Sequence, residues 1–174
     1  MAGRALTEAA RAISVAEVSG WALVDYATRL VSTHFETYSV LHPWESAETA
    51  FRHRRGYCTQ YNGAVAVILR ELGRDAWLVY AARVQLGDRP DWVLGHTWVH
   101  VRLNGEVRDV CARSAHSRAG HVGFVPASPV RKLGVIARCL AALGSYGAAV
   151  TAVIQAGLHG QPRPDWVEYR RDST

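Results

Sequence analysis

The sequence predicts an α+β domain in which helices come first and an antiparallel sheet follows. Three observations predict it. Apolar residues recur at helical spacing up to Leu72: Leu23, Tyr26, Ala27 and Leu30 in one stretch, Tyr61, Val65, Ile68 and Leu72 in another. Beyond Gly73 the period changes, and residues 76–84 read as a strand. Asn104-Gly105 is a strong two-residue hairpin signal between the alternating residues 96–103 and the return strand 106–112. Helices grouped ahead of hairpin strands are the pattern of an α+β domain.

The elements follow in order. Thr7-Glu8-Ala9-Ala10 opens a short helix. Ser14-x-x-Glu17 has the capping-box pattern for a second helix that runs to about His34 and ends before His42-Pro43. A short helix from Ser46 to about His53 leads into a break at Gly56. The next helix runs from about Cys58 to Leu72, and Gly73 stops it. Residues 87–91 are a loop, residues 113–129 read as irregular, and a helical region covers about 130–158 before a polar tail. No internal repeat or low-complexity tract is present. The chain of 174 residues is read as one domain, 1–174, with its core at about 46–112.

Composition is that of a globular protein, 49% hydrophobic and 20% charged, which excludes disorder. The net charge of +5 is too mild to argue for a nucleic-acid partner, and no helix-turn-helix, zinc-finger or RNA-recognition signature accompanies it. Three cysteines, at 58, 111 and 139, form no disulfide pattern, and the first residues show no apolar secretory stretch. A cytoplasmic location is therefore expected. Residues 139–158 are twenty residues without a charge, long enough to span a bilayer. They are rich in Ala and Gly, which contribute little to insertion. A buried helix, or a helical hairpin broken near Gly144–Gly147, is expected instead of a membrane span.

The chemistry concentrates around Cys58, in Arg54-Arg55-Gly56-Tyr57-Cys58-Thr59-Gln60-Tyr61. A thiol in the first turn of a helix meets unpaired N–H groups and the positive end of the dipole, both of which favour the thiolate. His96 opens the alternating strand as Gly95-His96-Thr97-Trp98-Val99, and Asp109 follows on the return strand. A cysteine, a histidine and an acid in that order supply a nucleophile, a base and an orienter.

This order resembles the transglutaminase-like superfamily, carried by Gly56, Cys58, His96, Trp98 and Asp109 over about residues 46–112. The resemblance implies a papain-like fold with the nucleophile helix packed on an antiparallel sheet. It implies that Cys58 attacks an amide or thioester carbonyl, that His96 shuttles the proton, and that Asp109 holds the imidazole. The Cys58 backbone N–H would help bind the oxyanion. The superfamily includes amide crosslinkers, peptidases and biosynthetic acyltransferases, so the resemblance implies a chemistry and not a substrate. A site on a small bare domain suits a tailoring or processing step, so a peptide or a carrier-bound acyl group is the expected substrate, with no cofactor. Tyr57 and Gln60, flanking Cys58, and His100 and Trp98 are candidates for substrate binding.

One spacing departs from the family. Its members place the acid about six residues after the turn glycine, whereas Asp109 is four after Gly105. A tight turn would set His96 opposite Arg113 and Asp109 opposite His100, leaving Asp109 and His96 about 13 Å apart at about 3.3 Å per residue. Either a bulge shifts the register, or another group orients His96, or His100 and Asp109 form the working pair.

Plainer readings stand beside these. Cys58 would be a buried structural thiol in a non-catalytic module that holds a peptide in the same cleft. Cys111 and Cys139 lie in apolar stretches and read as core. Arg52, Arg54 and Arg55 read as a solvated face, or as a docking edge for an acidic substrate. Trp44 and Trp92 sit in loops, where an aromatic could gate a cleft; packing is the plainer reading. Zinc binding by Cys58, His96 and Asp109 has no ligand spacing behind it, so no metal is expected. The oligomeric state is not legible.

Overall fold

The computed structural model describes residues 3–87 and 93–171. In chain order the elements are α1 (Arg4–Ser14), α2 (Gly20–His34), β1 (Thr37–Ser39), α3 (Ala47–Arg52), β2 (Arg55–Gly56), α4 (Cys58–Glu71), β3 (Asp75–Leu86), β4 (Val93–Leu103), β5 (Glu106–Val110), β6 (Phe124–Pro126), β7 (Arg131–Lys132), α5 (Val135–Leu158) and β8 (Glu168–Arg170). The expected α+β architecture is the one observed: α4 packs on an antiparallel sheet, and a helical region follows. Residues 88–91 of the predicted loop, and Trp92, lie outside the described residues.

The main sheet has the order β5-β4-β3-β6, with β7 also pairing β3. In a smaller sheet, β2-β1-β8, β1 lies between Gly56 of β2 and the late strand β8. Helix α4 is buried on nearly every side. Helices α1, α2 and α3 cover one side of it, and β3 and β4 cover the other. This explains its small residues: a Cβ on Gly63 would lie 3.2 Å from the Ala47 Cβ of α3.

The boundaries follow local chemistry. Ser46 caps α3, its Oγ accepting from the Thr49 N–H at 3.0 Å. The Ser14-x-x-Glu17 pattern does not cap a helix. Ser14 is the last residue of α1, and its hydroxyl donates to the Arg11 carbonyl at 2.7 Å, so α2 begins later, at Gly20. Asn104 and Gly105 both have positive φ, 50° and 83°, as a tight primed turn requires. A register shift between Ala81 and Val84 of β3 lies opposite the segment from Leu94 to His96.

Helix α5 differs from expectation. It is neither buried nor broken: it is one continuous helix of 24 residues and mostly exposed. Ala142, Ala149 and Ala156, spaced by seven, are its buried residues. Small side chains seat it on the protein, while Ile136, Leu140, Leu143, Ile154 and Leu158 are exposed. Gly144 and Gly147 do not end it, because a glycine inside a helix costs only about 1 kcal/mol.

Candidate active site

The start of α4 is fixed from two directions. Gln60 accepts from the Tyr57 N–H at 3.0 Å, and its amide donates to the His42 and Glu45 carbonyls at 2.7 and 3.1 Å. Gly56 must be glycine here, since a Cβ would lie 2.8 Å from Gln60 Oε1 and 3.2 Å from Phe35. These contacts set Cys58 at the first position of the helix, on the wall of a cleft. The sulfur is nearly buried. Burial pushes the thiol up, and hydrogen bonding from the Thr97 and Thr59 backbones and hydroxyls offsets only part of that rise. The helix-start argument for a thiolate is thus outweighed by desolvation in the resting protein.

His96 lines the same cleft, 4% exposed, with its ring edge-on to Phe124 at 4.9 Å between centroids. Burial, with a smaller contribution from Arg113, pushes its pKa down to about 3. At neutral pH the resting site therefore holds a thiol and a neutral imidazole. Among the described residues no hydrogen bond joins Cys58 to His96; such bonds commonly tighten only when substrate is bound.

The depressed His96 pKa has a consequence for stability. The unfolded chain takes up a proton near pH 6.5 that the folded site refuses until about pH 3. Stability on this account is complete above about pH 6.5 and falls between there and about pH 3, by up to about 1.4 kcal/mol per pH unit. Urea unfolding from pH 7 to 4 is expected to show this slope in the wild type and a reduced slope in His96→Gln. Equal slopes in the two proteins would refute it.

Asp109 is not brought to His96. The observed register pairs His100 with Asp109, as a tight turn at Asn104-Gly105 demands. The Asp109 carboxylate accepts from Trp98 Nε1 and pairs with His100 Nε2, both at 2.8 Å. Burial opposes its charge, but the His100 and Trp98 hydrogen bonds together hold the carboxyl below its ordinary value. The four residues expected to bind substrate also lie elsewhere. Trp98 is fully buried against Phe124, and His100 sits edge-on to Trp77 beyond the cleft. Tyr57 and Gln60 are 3% and 1% exposed, and neither lines the cleft.

Cys111 stands beside His96 instead, its Sγ 3.3 Å from His96 Nε2. Asn62 holds this corner. Its amide donates to the Thr97 carbonyl at 2.7 Å and to Cys111 Sγ at 3.5 Å, and its Oδ1 accepts from the Ala112 N–H at 2.9 Å. Arg171, from the chain's end, donates to the Ala112 and Arg113 carbonyls at 2.6 and 2.7 Å. Sequence reasoning placed Cys111 in the core and passed over Asn62. Two signals were present: Cys111 is six residues after Gly105, where the family places its acid, and Asn62 is a polar residue one turn after Cys58 in an apolar helix.

The cleft has a volume of about 810 Å³. Cys58, Tyr61, Leu94, His96 and Arg113 form part of its wall. The C-terminal third builds much of the remainder through Gly144, Ser145 and Ala148 of α5 and through Trp166, Tyr169 and Arg170. Among the described residues, no group of three or more His, Cys, Asp or Glu is placed to hold a metal ion.

A buried helix that opens with a cleft thiol, packed on an antiparallel sheet that carries a cleft histidine, defines a papain-like thiol fold. The family model of the transglutaminase-like superfamily matches residues 8–109, more than half of the chain. The chain belongs to that superfamily. Two solved structures are similar in fold. One is a proposed cysteine protease from Cytophaga hutchinsonii, 12% identical with a TM-score of 0.49, aligned over 74% of this chain and 47% of its own. The other is a TGase, 13% identical with a TM-score of 0.46, aligned over 65% of this chain and 31% of its own. The chain thus spans half or less of the length of either. A comparison with curated proteins returns no match.

Proposed function

We propose that this protein is a cysteine-dependent enzyme of acyl transfer or hydrolysis, working through an acyl-enzyme on Cys58. The observation that carries the reading is the position of Cys58 at the start of α4, facing the same cleft as His96. In the proposed step, the Cys58 sulfur attacks an amide or thioester carbonyl while its proton passes to a ring nitrogen of His96. The backbone N–H of Cys58 faces the developing oxyanion. Collapse breaks the C–N or C–S bond, and the departing amine or thiol takes the proton back from His96. Water or an amine then attacks the thioester, giving its proton to His96; the bond to the Cys58 sulfur breaks, and His96 returns the proton to the sulfur. The cleft's aromatic and charged lining, Tyr38, Tyr61, Trp166 and Tyr169 with Arg113, Arg170 and Asp165, supports a peptide or carrier-bound acyl substrate.

The test is intact-mass analysis after incubation with candidate peptides and acyl-thioesters, wild type against Cys58→Ala. An adduct on the wild type alone supports the reading. A folded Cys58→Ala that turns over the same substrates at the wild-type rate refutes it. A second reading, a peptide-holding module without catalysis, is favoured by the neutral thiol that stands beside His96 in place of an acid. It requires peptide binding that survives Cys58→Ser, with no adduct under any condition.

A further inference from the structure

We propose that Cys111 is the residue that orients His96, and that a neutral thiol in this position keeps the Cys58–His96 pair weakly activated. This rests on the acyl-transfer reading above. For His96 to take a proton from Cys58, the nitrogen on the cleft side must be bare. Its Nε2 faces Cys111 Sγ at 3.3 Å, so Nε2 must carry the hydrogen and Nδ1 must receive the Cys58 proton. The Asn62 amide donates to the same sulfur, so Cys111 serves as acceptor for two N–H groups. A thiol sulfur is a weak acceptor, whereas a carboxylate would take both bonds with charge assistance and stabilise the imidazolium. Among the described residues, the other ionisable groups around the pair are Arg113 beside His96, Tyr61 and Cys58 on α4, and Arg171, which lies over the Tyr61 ring and donates to the Ala112 carbonyl. Arg113 acts against an imidazolium, and burial holds the Cys111 thiol at about 11, so no negative charge supports His96 at neutral pH.

The experiment is the rate of Cys58 alkylation by iodoacetamide between pH 5 and 10, located by peptide mass. Cys111→Asp is expected to raise the rate at pH 7 at least about tenfold and to move the profile about 1–3 pH units lower, as an opposite charge within reach of an imidazole does. Cys111→Ser, neutral and similar in size, is expected to stay within about threefold of wild type. A folded Cys111→Asp with an unchanged profile overturns the proposal. The ¹⁵N signature of His96 tests it without that variant. The Nε2–H tautomer is expected in the wild type and its loss in Cys111→Ala; an Nδ1–H tautomer in the wild type overturns it. If Cys111→Asp speeds alkylation while Cys58→Ala turns over substrate as fast as the wild type, the orienting role stands and the acyl-transfer reading falls.

A separate observation concerns α5. Ile136, Leu140, Leu143, Ile154 and Leu158 are exposed along a stripe of helical spacing, the reverse of a helix that buries its large residues. Arg131 and Lys132 are exposed just before it. The charge is lopsided as well: residues 1–112 carry twelve basic and twelve acidic side chains, residues 113–174 eight basic and three acidic. We infer that this face lies on an anionic lipid surface. The helix has the length and composition to cross a bilayer, but Gly144, Ser145 and Ala148 line the cleft and Ala149 is in the core. Spanning would therefore dismantle the cleft, whereas lying in the interface leaves it intact. Flotation of the full chain with vesicles tests this. Binding is expected to phosphatidylcholine vesicles containing phosphatidylglycerol, weaker at high salt, and lost in Leu140→Glu/Leu143→Glu. No binding to the anionic vesicles overturns it. So does a concentration-dependent dimer that the same double variant abolishes, which would assign the face to a second copy.

Discussion

Cys58→Ala is expected to abolish the covalent adduct and to lower turnover by roughly 10⁴-fold or more, the scale on which losing a nucleophile acts. Its size follows from the lack of any substitute. Cys111 is fully buried beside His96 and does not line the cleft, and Cys139 is exposed on α5. The variant is expected to fold, because alanine keeps the Cβ and Cys58 makes none of the bonds that fix the start of α4; Gln60 and Gly56 do that. Any residual rate then reports binding and oxyanion stabilisation without the thiol. The measurement pairs turnover with thermal unfolding. A folded Cys58→Ala that retains more than about a tenth of the activity would show that the nucleophile lies elsewhere.

His96→Ala should match that loss if the two residues act as one unit, because removing either member of such a pair costs about as much as removing both. This comparison bears on the resting geometry. Burial raises the Cys58 thiol and lowers the His96 imidazole, so the ground state is neutral on both sides of the cleft. An enzyme of this kind creates its charge only during attack. Its rate should therefore be flat through neutral pH, where neither group changes its protonation, and rise only in the alkaline range as the raised Cys58 thiol ionises, without the acid limb of a preformed thiolate–imidazolium pair.

The sequence made some features legible because local rules decide them. Asn104-Gly105 dictated a primed turn, and that turn alone set the register that separates Asp109 from His96. Gly73, with φ of 72°, stops α4 where a helix-ending glycine is expected. Features set by tertiary context were not legible. Cys111 looks like core because it is core, at 0% exposure; its role appears only when the end of β5 is drawn toward Asn62 and Arg171. The thiolate expected at Cys58 followed from a helix end taken alone, and burial by neighbouring elements outweighs it. Helix α5 departs from expectation for a related reason: composition counts apolar residues, but only packing shows that Ala142, Ala149 and Ala156 face in while its leucines face out.

Asn62→Ala is expected to destabilise the fold by about 3–5 kcal/mol, the largest effect on stability among residues at the site. Asn62 is fully buried and satisfies two backbone groups, the Thr97 carbonyl within β4 and the Ala112 N–H just beyond β5. Neither group pairs with the other when the side chain is cut away, and each orphaned buried group costs about 1–3 kcal/mol. The void left by the amide adds to this. At about 2–4 °C per kcal/mol for a chain of this size, the melting point should fall by roughly 10 °C. Loosening the end of β5 also frees Cys111, so the His96 tautomer should become mixed in the same variant at temperatures where it remains folded. Asn62→Asp separates the two contributions, since its carboxylate still accepts from Ala112 but has no hydrogen for Thr97 or Cys111. A loss below about 1 kcal/mol for Asn62→Ala in urea unfolding would mean that α4, β4 and the end of β5 are held together at this corner by something other than these three hydrogen bonds.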